Sequence, residues 1–177
     1  VLTKNWSVRR VTKDIWNSIW NQIENTNLLQ SWEYGEAKSK AEGWKPERLL
    51  ISDERNEPIA LIQILTKTLP LIGGVARINR GPVLINHYSE EENTSFIFAA
   101  INVLEREAKR SRWWYLQIAP ELRDSAISKK GLAALGYRKL KISPWASGLL
   151  SLQNDEDDIL MSLNGKWRNG MRKGLKM

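Results

Sequence analysis

The chain has 177 residues, of which 42% are apolar and nine are tryptophan, a composition typical of a folded domain with a buried core. It contains no cysteine and a single histidine, His87, which excludes disulfides, thiolate chemistry and a zinc site built from several His or Cys ligands. The formal net charge of +7 favours an anionic partner, such as nucleic acid, a phosphorylated substrate or a membrane surface, although solubility alone also explains such a charge.

Hydrophobic periodicity and turn residues predict the elements of the chain. In chain order they are a strand over 6–11, a helix capped by Thr12, a helix over 30–42, strands over 47–54, 59–69 and 73–79, a helix over 89–110, a strand over 113–119, a helix over 124–135, and strands over 137–142 and 147–152. This order predicts an α/β (α+β) protein with one mixed, mainly antiparallel sheet and helices on both faces. It resembles the order of elements in the GNAT acyltransferase fold.

The adjacent Trp113 and Trp114 fall in one predicted strand. Neighbouring residues of a strand point to opposite faces of the sheet, and large aromatic side chains are usually buried. The pair therefore predicts that both faces of the sheet are covered at this point.

The composition changes at Asn154, where an acidic run over 155–158 gives way to a basic run over 166–176. We therefore predict a GNAT-like domain over 1–153 and a basic amphipathic helical segment over 154–177, which leads toward a second half that this chain lacks. On a helical wheel the apolar residues share one side: Leu160, Leu163, Trp167, Met171 and Leu175. The basic side holds the candidates for nucleic-acid or phosphate binding: Lys166, Arg168, Arg172 and Lys173.

Three glycines in the basic run oppose a continuous helix, so we expect it to be broken or to need a partner. An ordinary amphipathic helix that packs its apolar side on a domain explains the same pattern.

The stretch RINRGPV over 77–83 stands where GNAT enzymes that use acyl-CoA have a glycine-containing loop. In those enzymes, backbone N–H groups of the loop hold the pyrophosphate with the help of the next helix N-terminus. Here Pro82 removes one such donor, and the carboxylates over 90–92 stand at the helix start. We therefore expect no cofactor, and weak binding of acetyl-CoA.

Three stretches together resemble the FemABX family of peptidoglycan aminoacyltransferases: LLQSWEYGEAKSKAEGWKPERLLI over 28–51, QILTKTLPLIGGVARINRGPVL over 63–84, and LMSLNGKWRNGMRKGLK over 160–176. Members have two GNAT-like halves and use aminoacyl-tRNA instead of acyl-CoA. The resemblance implies transfer of an aminoacyl group from tRNA to an amine of a muropeptide precursor. It also implies that a second GNAT-like half or a partner chain completes the protein.

By this resemblance, Lys38 matches a lysine expected near the phosphates of the acceptor. Arg77 and Arg80, on either side of Asn79, are further candidates for substrate binding. Strand alternation puts Arg77 and Asn79 on one face and Arg80 on the other, so we expect one arginine at most to face the site. The alternative for each cation is an ordinary solvated side chain, with Glu36 and Glu42 close to Lys38.

Many members of the family carry an acidic residue before the proline that ends the strand after the long helix. Here that residue is Ala119, so we nominate no catalytic residue. The resemblance alone does not decide whether this chain is an enzyme. Two other functions stay open: an acyl-CoA-dependent GNAT N-acyltransferase acting on a small amine, and a non-catalytic nucleic-acid or precursor-binding module. No apolar run reaches transmembrane length, so we expect a cytoplasmic protein.

Overall fold

The computed structural model describes residues 6–86, 88–141 and 151–175. The chain divides into two compact units, Val1–Arg138 and Lys139–Met177. The domain boundary predicted after residue 153 stays a prediction, since residues 142–150 lie outside the described part of the chain. The single histidine, His87, also lies outside it.

The strands and helices of the first unit follow the predicted order with small shifts at their ends. They are β1 (Ser7–Arg10), α1 (Lys13–Trp20), a 3₁₀ turn (Leu28–Gln30), α2 (Trp32–Glu42), β2 (Lys45–Ser52), β3 (Pro58–Leu69), β4 (Gly73–Asn79), β5 (Val83–Leu84), α3 (Glu90–Arg110), β6 (Trp113–Ala119) and α4 (Ala126–Ala134). The second unit contains α5 (Glu156–Ser162) and α6 (Gly165–Gly174). Residues 137–141 and 151–152 are not strands, so those parts of the last two predicted strands are wrong, and the remainder lies outside the described residues.

The sheet is mixed and mainly antiparallel, as predicted. Its strand order is β1-β2-β3-β4-β6, and β5 also pairs with β3. All neighbours are antiparallel except β4 and β6, which run parallel. A parallel pair needs a crossover connection, and α3 lies in the segment that joins β4 and β6.

Helices cover both faces of the sheet, again as predicted. On one face α3 contributes Ala100 and Leu104 to a core shared with Ile62 and Ile78 of the strands. On the other face α1 contributes Trp16, which is fully buried against Leu61 and its neighbours. The apolar residues of α3 recur every three or four positions, so one side of the helix is buried on the sheet along its length.

The buried side chain of Gln30 closes a gap in the sheet between β4 and β5. β4 pairs with β3 from Leu65 onward, and β5 pairs with β3 at Ala60 and Leu61. Between these two stretches, the backbone of Gln63 lacks a strand partner on that side of β3. The N–H of Gln63 donates to Gln30 Oε1 at 2.7 Å, and Gln30 Nε2 donates to the carbonyl of Gln63 at 3.2 Å. Gln30 Nε2 also donates to the carbonyl of Asn79 at 2.8 Å, at the end of β4. One side-chain amide therefore replaces a missing piece of strand.

A buried arginine fixes α2 on the sheet. Arg48 of β2 donates to Gln63 Oε1 at 3.1 Å, to the carbonyl of Trp32 at 2.9 Å and to Glu36 at 2.8 Å. Burial lowers the pKa of Arg48 from its ordinary value, and the hydrogen bond and charge of Glu36 oppose that shift. Gly35 permits this approach, because a Cβ at that position would lie 2.2 Å from Gln63 Oε1.

Candidate functional site

The face of the sheet that carries α1 and α2 is open over β4 and β6. Arg77 lies opposite Leu65 of β3 and Gln117 of β6, and Asn79 lies opposite Ala119. These positions are partly or fully exposed, with the exception of Leu65. The strands thus offer a polar surface beside α2.

The expectation that both faces are covered at the tryptophan pair is wrong for one of them. Trp113 is buried in the core under α3, whereas Trp114 is 67% exposed. The register between β4 and β6 shifts here, so that Gly74 lies opposite Trp113 and Val75 opposite Tyr115. Trp114 falls within this shift, where the strict alternation of faces does not hold.

Lys38 lies on α2 at the edge of this open face. Its ammonium group forms an ion pair with Glu42, one turn further along the helix, and stands 5.6 Å from the centre of the Tyr34 ring. The hydrogen bond to Glu42 raises the pKa of Lys38, and the positive charge of Arg77 acts in the opposite direction. Lys38 and Arg77, two of the three predicted substrate-binding residues, are therefore brought together.

Two residues that the sequence did not single out extend this cationic surface. Lys67 of β3 stands 4.8 Å from the centre of the Trp44 ring, and Trp44 Nε1 donates to Glu42 at 3.2 Å. The hydrogen bond from Lys38 lowers the pKa of Glu42, and the Trp44 hydrogen bond and the charge of Lys67 act in the same direction. Two cations, Lys38 and Lys67, thus act on the Glu42 carboxylate, and Arg77 acts on Lys38.

Arg77 is held in place by its strand neighbour. Its Nε donates to Asn79 Oδ1 at 3.0 Å, which the alternation of β4 had placed on the same face. No carboxylate pairs with Arg77 in the described part of the chain. Its guanidinium therefore keeps donors for an anionic ligand.

Arg80 lies apart from this pair, at the bend between β4 and β5. It has a left-handed backbone, with φ of 51°, and its side chain pairs with Glu121 at 3.4 Å. Its backbone carbonyl accepts from Asn27 Nδ2 at 3.0 Å. A Cβ on the next residue, Gly81, would lie 2.7 Å from the Gln30 side chain, so the Gly81–Pro82 bend is shaped to pack on Gln30.

A cavity of about 210 Å³ lies beyond this bend. Its polar lining includes Glu24, Asn25, Asn93 and Glu121. Glu121 follows β6 by two residues, and the family resemblance, which pointed at Ala119, did not single it out.

Residues at the start of α3 satisfy the free backbone groups of the helix themselves. Ser89 accepts the N–H of Glu92, and the Glu92 carboxylate accepts the N–H of Ser89, which together form a capping box. Glu90 pairs with Arg123 at 3.1 Å. The carboxyl ends of β4 and β6 are also joined, since the N–H of Arg80 donates to the carbonyl of Ala119 at 2.7 Å.

The segment forms two helices, but the break does not lie at the glycines that had predicted it, because all three of them lie within α6. The chain leaves the helical conformation at Leu163, which has ψ of 146°, and Asn164 caps α6. Leu163, Trp167 and Met171 line a groove of about 580 Å³ within this unit, and Trp167 is 76% exposed.

The four predicted phosphate-binding residues of this segment differ in their surroundings. Arg168 donates to the carbonyl of Met161 at 3.2 Å and so joins α6 to α5. Lys166, Arg172 and Lys173 form no ion pair among the described residues, and the last two stand in the final turn of α6. They are the part of the segment that is open to an anionic partner.

Metal binding and membrane crossing find no support in the described residues. His, Cys, Asp and Glu side chains do not gather there into a group that could hold a metal ion. None of the helices described combines the length and the apolar composition that crossing a bilayer requires.

Solved structures similar to this chain have the same fold. FemX matches with a TM-score of 0.63 and 23% identity, over 96% of this chain and 44% of FemX, so the chain spans less than half the length of that protein. A probable acetyltransferase matches with a TM-score of 0.50 and 10% identity, over 85% of this chain and 99% of the other. A transcriptional regulator from Bacillus halodurans C-125 matches with a TM-score of 0.50 and 12% identity, over 81% and 99%. The GNAT-like fold predicted from the order of elements is confirmed.

Among curated proteins, no sequence matches this chain. The sequence model of the FemAB family matches residues 11–143. That stretch is well over half of the chain, and it holds α2 with Lys38, β4 with Arg77 and the Gly81–Pro82 bend. The chain therefore belongs to the FemAB family.

Proposed function

We propose that this chain is the acceptor-binding half of a FemAB-type aminoacyltransferase that acts on a peptidoglycan precursor. The observation that carries the proposal is that Lys38 on α2 lies close enough to Arg77 on β4 for their charges to interact, beside an open polar face of the sheet. Three cations and one carboxylate leave this surface with a net positive charge, which suits the phosphates of a nucleotide-linked or lipid-linked muropeptide.

In the proposed reaction the acceptor amine attacks the ester carbonyl that joins the amino acid to tRNA. An amide bond forms, the ester bond breaks, and the proton lost by the amine is taken up by the leaving ribose oxygen, which becomes a free hydroxyl. We assign no catalytic residue to this chain. Its contribution is to hold the acceptor in position, and orientation of two reactants alone lowers a barrier substantially.

The start of α3 and the joined ends of β4 and β6 favour a donor other than acetyl-CoA. The capping box of Ser89 and Glu92 occupies the start of α3, and Glu90 adds a further carboxylate there. The bond between Arg80 and Ala119 leaves no gap between the ends of β4 and β6. Calorimetry should therefore detect weak acetyl-CoA binding or none, and tight binding would favour an acyl-CoA-dependent N-acyltransferase instead.

The acceptor site is tested with Lys38→Ala and Arg77→Ala, and with Lys40→Ala as the matched control. Lys40 lies on the same helix and is exposed. Calorimetry with a nucleotide-linked muropeptide should give a roughly tenfold loss of affinity for each of the first two variants and no change for the control. A muropeptide without phosphates should bind equally to all the variants. If the phosphorylated ligand binds wild type and both variants alike, Lys38 and Arg77 are solvated cations and the proposed site is wrong.

For the donor, we propose that the basic side of α6 contacts tRNA through Lys166, Arg172 and Lys173. Contacts to phosphates release counterions, so RNA affinity should fall steeply as the salt concentration rises. Changing Arg172 and Lys173 to Gln should flatten that dependence by about one unit of slope for each lost contact. The same change at Lys129 and Lys130 of α4 is the control, since these are also adjacent exposed cations on a helix. Equal slopes in the two double variants would contradict the RNA contact.

A further inference from the structure

The tip of the β3–β4 hairpin exposes large apolar side chains. The first part of β3 is buried, but Leu69 is 59% exposed, Leu71 is 94% exposed and Ile72 is 69% exposed. Three such side chains in four residues form a contiguous apolar patch, whereas single exposed apolar residues are ordinary on protein surfaces.

The backbone conformation at the tip is also unfavourable for the leucine found there. Leu71 has φ of 67°, in the left-handed region that suits Gly or Asn and that strains a residue with a branched side chain. Leu71 thus gains neither burial nor backbone stability within the fold. The described part of the fold thus gives no reason for a leucine at this position.

The hairpin tip rests against the turn between α3 and β6. The N–H of Gly74 donates to the carbonyl of Arg112 at 3.0 Å, and a Cβ on Gly73 would lie 2.2 Å from that carbonyl oxygen. Gly74 also lies opposite Trp113 of β6, and the next residue along that strand, Trp114, is 67% exposed. The packing against Arg112 brings the tip next to the basic turn that holds Lys109 and Arg112.

The charges around the patch are predominantly positive. Lys109 and Arg112 are exposed and Lys67 precedes the tip on β3. The acidic groups nearby already have cationic partners, because Glu107 pairs with Arg10 and Arg110, and Glu42 pairs with Lys38. Exposed Leu and Ile side chains beside a Trp and a ring of cations match the chemistry of an anionic membrane surface, where apolar groups enter the acyl region and cations meet the headgroups.

We propose that the β3–β4 hairpin tip, together with Trp114, docks the protein peripherally on an anionic membrane. The patch is defined as Leu69, Leu71, Ile72 and Trp114, and the cations that flank it are Lys109 and Arg112. This surface is separate from the Lys38–Arg77 pair in its residues, and it does not depend on the acceptor proposed above. Binding is reversible and confined to the interface, since the tip is a short loop.

The experiment is co-sedimentation of the whole chain with vesicles of phosphatidylcholine, with and without phosphatidylglycerol. The hairpin variant is Leu71→Asn combined with Ile72→Ser, in which Asn tolerates the left-handed backbone and keeps the hairpin folded. The matched control is Ile127→Ser on α4, where the side chain is 71% exposed. Wild type and control should bind the anionic vesicles equally, and the hairpin variant at least about tenfold more weakly, with unchanged thermal unfolding.

A second variant tests the charge. Lys109→Gln with Arg112→Gln should reduce the preference for phosphatidylglycerol and leave the weak binding to phosphatidylcholine unchanged. The proposal is overturned if wild type does not bind anionic vesicles at low salt, or if the hairpin variant binds like wild type. It is also overturned if the patch instead joins two copies of the chain, seen as a concentration-dependent dimer that the hairpin variant abolishes without any vesicle binding.

Discussion

The two faces of β4 serve different purposes, although one short strand makes both. Ala76 and Ile78 point toward α3 and are buried, whereas Arg77 and Asn79 point toward the open face beside α2. Successive side chains of a strand alternate, so one sequence can satisfy a core and a ligand surface at the same time. Substitutions on the two faces of β4 should therefore have different effects. Those on the covered face should lower stability, and those on the open face should weaken binding of the proposed acceptor.

The largest expected effect comes from the covered face. Ile78→Ala should lower the free energy of unfolding by about 2–5 kcal/mol, because it leaves a cavity under α3. Arg77→Ala, at the neighbouring position on the open face, should change it by less than about 1 kcal/mol. Urea unfolding of the two variants measures both values. Equal losses would mean that the open face is as important for the fold as the core is.

An intermediate effect is expected where the sheet is completed by a side chain. Gln30→Ala leaves the buried N–H and C=O of Gln63 without partners and should cost about 2–4 kcal/mol. Gln22→Ala is the control, since Gln22 is exposed and its side-chain amide donates to the carbonyl of Ser18 within the same part of the chain. Unfolding in urea distinguishes the two, and a Gln30 variant as stable as the control would contradict the stated role of this amide.

The smallest effect concerns the start of α3, the helix that covers the apolar face. The Ser89 hydroxyl and backbone N–H lower the pKa of Glu92, so this interaction stabilises the fold above the ordinary pKa of glutamate. The stabilisation is lost as the pH falls through the lowered pKa of the folded state. Ser89→Ala removes a helix cap, which typically contributes about 1 kcal/mol.

The difference in stability between wild type and the Ser89 variant should therefore shrink below the ordinary glutamate range. Thermal unfolding across acidic pH measures it, with Ser95→Ala as a control, because Ser95 lies inside the same helix and not at its N-cap. A difference that stays constant with pH would mean that the Glu92 charge takes no part in the cap.

The sequence predicted the fold where its signals were local. The periodicity of α3 and the long apolar run of β3 identified both elements within a residue or two. Both cations of the proposed site were candidates from the sequence, Lys38 through resemblance and Arg77 together with Arg80, and that role stays a prediction. That they lie together depends on how α2 packs on the sheet, which the local pattern does not contain.

Other features depend on contacts between distant parts of the chain. Gln30 is 33 residues from Gln63 and 49 from Asn79, so no spacing rule relates them. The exposure of Trp114 was missed because burial was assumed from its size and from strict strand alternation, whereas the register of β4 and β6 shifts at this residue. The contact between Lys67 and Trp44 was missed for the same reason as the contacts of Gln30. It joins a residue of β3 to one that follows the end of α2, and no local pattern relates the two.

The Gln30 amide has a consequence for affinity as well as for folding. It ties the turn that begins α2 to the end of β4, and so it links the two elements that carry Lys38 and Arg77. The spacing between the two cations is thus set before any ligand arrives. For the acceptor proposed above, a preorganised pair would lower the entropy cost of binding, because two separate elements need not be ordered by the ligand.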